Sequence, residues 1–307
     1  MTVRVYTHPA CLSHDTGSGH PERPQRLAAV TEALHEAFDD LDWQQSPCAG
    51  RAELLRVHTP GLLAQVLETQ ATGVVALDPD TLLSSGSAEA ALRAAGAGIA
   101  AVDAAVTGEA PRAFCAVRPP GHHATASTAM GFCLFNSVAV AAMHALERHG
   151  LSRVAIVDFD VHHGNGTQDI FADDARVLYA STHQWPLYPG TGAAEERGVG
   201  NLRNAPLPPG CGGRRFRQAW VDALLPAIDG FAPQLLLISA GFDGHWRDPL
   251  AQVQLDAEDY AWLTRELAVL SQRHAAGRLV SMLEGGYDLQ ALRECSVAHV
   301  EALRGTA

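Results

Sequence analysis

Five times between Ala113 and Asp288 a short apolar run breaks off into a cluster of polar side chains, and this recurrence limits the fold more than any other feature of the chain. Ala113–Val117 runs into Arg118-Pro119-Pro120-Gly121-His122-His123, and Arg153–Val157 into Asp158-Phe159-Asp160-Val161-His162-His163-Gly164. Val177–Ala180 leads to Ser181-Thr182-His183, Leu235–Ser239 to Ala240-Gly241-Phe242-Asp243-Gly244-His245, and Leu279–Leu283 to Glu284-Gly285-Gly286-Tyr287-Asp288. Short aliphatic runs without polar alternation read as strands buried on both faces, the signature of a parallel sheet. Helical patterns such as Leu134–Arg148 lie between them. Strand, helix, strand implies an α/β chain whose parallel sheet is covered by helices on both faces, and such sheets bind ligands at the carboxyl ends of their strands. All five clusters fall at that end, so the pattern predicts one site built from five loops.

The acidic cluster sets the chemistry. On an extended segment Asp158, Asp160 and His162 share one face. Carboxylates this close at the end of an apolar strand need a cation or must hold protons. Taken alone, the segment is equally a turn whose acids cap a following helix through Gly164 and Thr167; the four other clusters tip the reading toward a metal. Asp160, His162 and Asp243 offer two oxygens and a nitrogen and leave positions open for water and substrate, the pattern of a catalytic zinc rather than a closed structural one. Fe2+ accepts the same donors. His122 and His123 supply imidazoles that move protons near neutral pH, and Tyr287, behind two glycines, brings a phenol close to the metal. Read singly, the histidines are a satisfied loop pair and the tyrosine a core residue. The chain has no Gly-x-Ser-x-Gly elbow, no P-loop and no Gly-x-Gly-x-x-Gly after a strand. Hydrolysis of an amide or ester by metal-activated water is the chemistry that fits.

The rest of the chain supplies the frame. Val3–Tyr6 reads as a strand, His8–Pro24 as a loop rich in Gly, Pro and His, and Arg26–Phe38 and Leu54–Leu67 as helices. Asp78–Gly86 reads as a long loop, and Ser87–Val106 as an alanine-rich helix whose Gly96 and Gly98 imply close packing. Nothing resembling a linker interrupts the 307 residues, so one domain over residues 1–307 is expected. A composition 47% hydrophobic and 18% charged fits a globular chain with a large core. No apolar run is expected to approach the ~20 residues of a membrane span, and a strand pattern at the start, in place of a signal peptide, points to the cytoplasm. A net charge of −12 without a basic stripe argues against nucleic acid as a partner. The cysteines (Cys11, Cys48, Cys115, Cys133, Cys211, Cys295) are scattered and form no Cys-x-x-Cys pair.

In order and spacing, the motifs Arg118–His123, Gly131-Phe132-Cys133, Asp158–Gly164, Ser239–Asp243 and Glu284–Asp288 resemble the zinc-dependent histone deacetylase family, which includes acetylpolyamine amidohydrolases and acetoin-utilisation proteins. His14-Asp15 with His20-Pro21-Glu22-Arg23-Pro24-Gln25-Arg26 resembles its class II branch. The resemblance spans nearly the whole chain. It implies an arginase-like fold, a central eight-stranded parallel sheet, and a narrow tunnel leading to zinc. By the same resemblance Asp160, His162 and Asp243 are the zinc ligands, His122 is an inner histidine oriented by Asp158, and His123 is the outer histidine that serves as base and then acid. Asn165 stands where class I members carry an aspartate; an amide stabilises imidazolium less than a carboxylate does, so His123 is expected to have the lower pKa of the two versions. Tyr287 matches the oxyanion donor. Gly131, Phe132 and Tyr188 match tunnel walls, Asp80 a rim acid that holds substrate backbone, and Arg26 an arginine near the acetate exit. Leu250 stands where members selective for acetylpolyamines carry a glutamate. A structural potassium ion is implied at Asp158, the main-chain oxygens of Asp160 and His162, and Ser181.

The sequence therefore reads as a zinc-dependent amidohydrolase that removes acetyl or other short acyl groups from lysine side chains or related small amines. The alternatives are an acetylpolyamine amidohydrolase, an acetyl-lysine-binding module with dispensable catalysis, and a binuclear ureohydrolase of arginase type. Intact Tyr287, His123 and ligands count against the module. Gly241-Phe242-Asp243-Gly244-His245, where a second metal needs Asp-x-Asp, counts against the ureohydrolase. The number of subunits is left open.

Overall fold

The apolar runs become strands with no solvent face. The structure is a computed structural model that describes residues 2–305. In chain order the elements are β1 (Arg4–Thr7), a 3-10 turn (Pro9–Leu12), α1 (Pro24–Ala37), β2 (Asp42–Gln45), α2 (Arg51–Leu54), α3 (Pro60–Leu67), β3 (Val75–Ala76), β4 (Leu82–Leu83), α4 (Ser87–Thr107), β5 (Arg112–Cys115) and α5 (Ser137–His149). They continue as β6 (Val154–Asp158), α6 (Asn165–Phe171), β7 (Val177–Gln184), β8 (Leu202–Leu207), α7 (Gly213–Ala219), a π-turn (Trp220–Leu224), α8 (Leu225–Phe231), β9 (Leu235–Ala240), α9 (Ala257–His274), β10 (Leu279–Leu283) and α10 (Leu289–Arg304). Eight strands form one sheet in the order β2-β1-β5-β10-β9-β6-β7-β8, every pair parallel. Every residue of β5, β6, β7, β9 and β10 is buried.

Helices cover both faces. α4 packs on α5, β1, β5 and β10, while α9 and α10 pack together and α10 also takes α1. Gly96 of α4 does allow close packing, since a Cβ there would lie 2.0 Å from the Pro47 carbonyl oxygen. The expectation that no apolar stretch reaches membrane-spanning length is corrected by α4, which has 21 residues and a mean hydropathy of 1.3 in its most apolar window. Within this fold it is a core helix, lying against three strands and α5.

The departures from the sequence pattern have local causes. Leu54–Leu67 is broken in two, because Pro60 starts a new helix and the Thr59 hydroxyl accepts from the Leu62 amide. Asp78–Gly86 is not all loop: β4 pairs with β3 as an antiparallel hairpin. β2 and β8 have no apolar run in sequence because they are the two edges of the sheet, where half the side chains meet solvent. β6 stops at Asp158, so Asp160 and His162 lie on bends beyond it and converge through chain turning rather than through strand pleat.

Candidate active site

Strands β5, β10, β9 and β6 are consecutive neighbours in the sheet, so the loops at their carboxyl ends meet. From the loops after β6 and β9 come Asp160, His162 and Asp243, each buried, with donor atoms within 4.8 Å of one another. His162 Nδ1 lies 3.0 Å from Asp243 Oδ2 and 3.3 Å from Asp160 Oδ1. The amides of Val161 and Gly285 donate to Asp243 Oδ1 (2.8 Å) and Asp160 Oδ2 (2.8 Å). A Cβ on Gly285 would stand 2.1 Å from Asp243 Oδ2, and one on Gly241 2.0 Å from Asp160 Oδ2, so these glycines make the space the carboxylates occupy. Burial and the Asp160 charge raise the Asp243 carboxyl above its usual range. Against the penalty of burial, Asp160 and Asp243 push the His162 imidazole up to about 10. Two buried carboxylates that hold a proton on the histidine between them are a donor set whose charge balance a divalent cation satisfies by displacing that proton.

The histidine pair follows β5. His122 Nδ1 lies 3.0 Å from Asp158 Oδ2, and Asp158 also accepts from the Tyr179 hydroxyl (3.0 Å). Although burial works the other way, Asp158 and Asp160 push His122 up to about 10. His123 behaves oppositely: burial, then the charges of His122 and His162, hold it well below the ordinary imidazole value. Its Nδ1 lies 2.8 Å from Asn165 Oδ1, and an amide oxygen only accepts, so Nδ1 carries the proton and Nε2 is the free base. Underneath, Glu284 accepts from the amides of Gly121 (2.6 Å) and His122 (3.2 Å) and from the Ser239 hydroxyl (3.1 Å). Ser181 sits level with Asp158, which ends β6, but β7 runs on to Gln184, so Ser181-Thr182-His183 lies inside the strand rather than in a loop after it.

Tyr287 follows β10. Burial raises its phenol well above 10, which keeps the proton on the oxygen as a donor. Its amide donates to Asp248 Oδ2 (2.7 Å), and the Arg26 guanidinium lies 4.9 Å from its ring centre. Arg26 is fully buried, donating to the carbonyls of Gly286 and Glu284 and to Glu22 Oε1 (3.0 Å). Glu22 in turn takes a two-pronged pair from Arg118 (2.7 and 2.6 Å).

One cavity of about 240 Å³ brings His123, His162 and Tyr287 together and is lined as well by Asp80, Gly131, Phe132, Leu187, Tyr188 and Leu250. Gly131 adopts φ +56°, and a Cβ there would sit 2.6 Å from the His123 ring. Phe132 takes the left-handed φ of +67° that side chains avoid, anchored by its amide on Thr81 Oγ1 (3.1 Å). Its ring meets Tyr287 edge-on at 5.8 Å and His20 at 4.7 Å. Tyr188 stands edge-on to His123 at 5.1 Å. Asp80 reaches the cavity from the turn between β3 and β4, with Asp78 Oδ1 accepting its amide (2.9 Å).

A sequence profile described as "Histone deacetylase domain" matches residues 20–303. The chain belongs to the histone deacetylase family. It is 40% identical to the "Histone deacetylase-like amidohydrolase" of Pseudomonas aeruginosa over 94% of this chain and 78% of that one. It is 39% identical to human "Polyamine deacetylase HDAC10" over 92% of this chain and 44% of the other. Among solved structures, the HDA15 HD domain superposes with a TM-score of 0.94 at 36% identity, covering 99% of this chain and 89% of the other. This member of the histone deacetylase family is a hydrolytic deacetylase.

Sequence reading missed Leu187, Glu284 and Asp248 as parts of the site. Glu284 was visible as the acid before Gly285-Gly286, but its role on two amides of another loop has no local signal. Arg26 is not among the residues lining the cavity; it braces Tyr287 from behind.

Proposed function

We propose that this deacetylase is a zinc-dependent amidohydrolase that removes short acyl groups, acetyl foremost, from lysine side chains. The observation that carries the reading is the shared cavity, in which a member of a three-donor metal cluster, a neutral histidine and a protonated phenol face the same small volume. Asp160, His162 and Asp243 would hold the metal, which when bound supplies a Lewis acid and lowers the pKa of water. His123 takes the attacking water's proton at Nε2 while Asn165 holds its Nδ1 proton, and then returns a proton to the leaving amine. His122, held as imidazolium by Asp158, keeps the surroundings of His123 positive and so keeps His123 neutral at rest. The Tyr287 hydroxyl donates to the charge that develops on the carbonyl oxygen. Phe132 and Tyr188 flank the methylene chain of the substrate, Gly131 lets it pass beside His123, and Asp80 receives its backbone amides at the mouth. Arg26 belongs to the acetate exit in this reading, and Asp158, Asp160, His162 and Ser181 to a structural potassium site. In this reading the enzyme works in the cytoplasm.

Leu250 decides the substrate class. An apolar side chain gives no counter-charge to the internal ammonium of a polyamine, and desolvating that ammonium costs several kcal/mol. A second reading, deacetylation of acetylpolyamines, is favoured by one observation: Asp80 lines the same cavity as Leu250. Competition between acetyl-lysine peptides and N-acetylspermidine separates the two. A higher kcat/KM on the peptides, with Leu250→Glu shifting preference toward the polyamine, is expected; wild-type preference for the polyamine over every peptide tested would select the second reading. Zinc is tested by stripping the enzyme and restoring turnover with Zn2+ or Fe2+ in separate reactions.

A further inference from the structure

At the opposite edge of the sheet from the active site, three metal-competent side chains meet between α4 and α5. Helices that return the chain to the start of the next parallel strand end at the amino edge of the sheet, and the last turns of α4 and α5 lead into β5 and β6. Asp103 comes from the end of α4, and His144 and His149 from α5. Asp103 Oδ1 lies 2.7 Å from His144 Nε2 and 2.6 Å from His149 Nε2, and the donor atoms of the three residues lie within 4.8 Å of one another. The side chains are 7% (His144), 18% (His149) and 49% (Asp103) exposed, so the cluster is closed toward the core and open toward solvent.

We propose that Asp103, His144 and His149 form a second metal site, selective for an imidazole-preferring divalent cation such as Zn2+, which ties α4 to α5. Two imidazoles and one carboxylate with an open side for water are a tetrahedral donor set, and the nitrogens already point at a common oxygen. Burial opposes ionisation of Asp103, but the bonds from both histidines outweigh it and hold the carboxyl below its usual range, so the oxygen ligand is anionic. Binding exchanges the two hydrogen bonds for metal–nitrogen bonds and requires a free Nε2 lone pair on each ring. Arg56, whose Nη1 lies 3.3 Å from His144 Nδ1, must swing aside, because Nδ1 then carries the proton and a guanidinium cannot accept it. The site shares no ligand with the active site and stands whatever the substrate of the enzyme.

The test counts metal. Protein purified with its active site filled is dialysed against micromolar free Zn2+, and zinc per chain and the thermal midpoint are measured. Wild type should hold two equivalents and His149→Ala and Asp103→Ala one each, with added Zn2+ raising Tm in wild type only. Asp160→Ala should lose the other equivalent and keep this one, which distinguishes the two sites. A single equivalent in wild type, or equal zinc in wild type, His149→Ala and Asp103→Ala, would overturn the proposal.

Discussion

Glu22 is the charge on which the wall behind Tyr287 depends. It is fully buried, accepts both prongs of Arg118 and one bond from Arg26, and has His14 Nε2 at 3.5 Å. Burial alone would raise its carboxyl; the charge and hydrogen bonds of Arg118 and the charge of Arg26, joined by His14 once that buried imidazole is protonated near pH 4, reverse this and bring it from 4.5 down to about 2. At about 1.4 kcal/mol per pKa unit of displacement, that depression sets an upper bound of roughly 3 kcal/mol on the stability at neutral pH, where His14 is uncharged and the arginines act alone. Glu22→Gln keeps the shape and most acceptor geometry but leaves Arg26 and Arg118 buried without a counter-charge, a loss on the scale of ~3–5 kcal/mol for breaking a buried pair. Because the folded value lies below the unfolded one, the contribution is complete above about pH 4.5 and is lost as pH falls toward 2. Urea unfolding of both proteins at several pH values should give a constant gap between pH 7 and pH 5 that narrows below. A gap under about 1 kcal/mol at pH 7, or one that widens on acidification, would refute the reasoning. Arg26 also braces the Tyr287 ring, so the folded fraction of the variant should turn over more slowly than wild type.

Asp160→Ala, His162→Ala and Asp243→Ala should each lose the active-site metal, measured as metal per chain; full turnover by thoroughly demetallated protein would contradict the assignment. Gly285→Ala should do the same without removing a ligand, since its Cβ would press on Asp243 Oδ2, and unchanged metal content would show that the carboxylates have room to move. Tyr287→Phe should retain metal and lower kcat about a hundredfold or more, read from steady-state kinetics beside metal analysis. His123→Ala should fall at least as far, because in the proposed mechanism Nε2 of this cavity-lining histidine takes the proton of water; wild-type rates in both variants would sink the mechanism.

The gathering of the candidate site residues was legible in one dimension because residue type and the ends of apolar runs carry it. Asp158, Asp160, His162, His122, Asp243 and Tyr287 all stand where a buried strand gives way to a loop, and a parallel sheet places those ends on one edge. The eight-stranded sheet itself was implied by family resemblance, since β2 and β8, as half-exposed edges, leave no apolar run to read. Periodicity also misplaced the reason for the acidic convergence, which belongs to the bends after Asp158 rather than to the strand. Strand order lay beyond sequence reading. It is the order β5-β10-β9-β6 that sets Glu284 under amides 162 and 163 residues away, Asp160 on the Gly285 amide, and Arg26 against a carbonyl 260 residues along the chain. A sequence pattern records how each segment meets water, whereas these bonds depend on which buried segments become neighbours, a choice made only when the whole core packs.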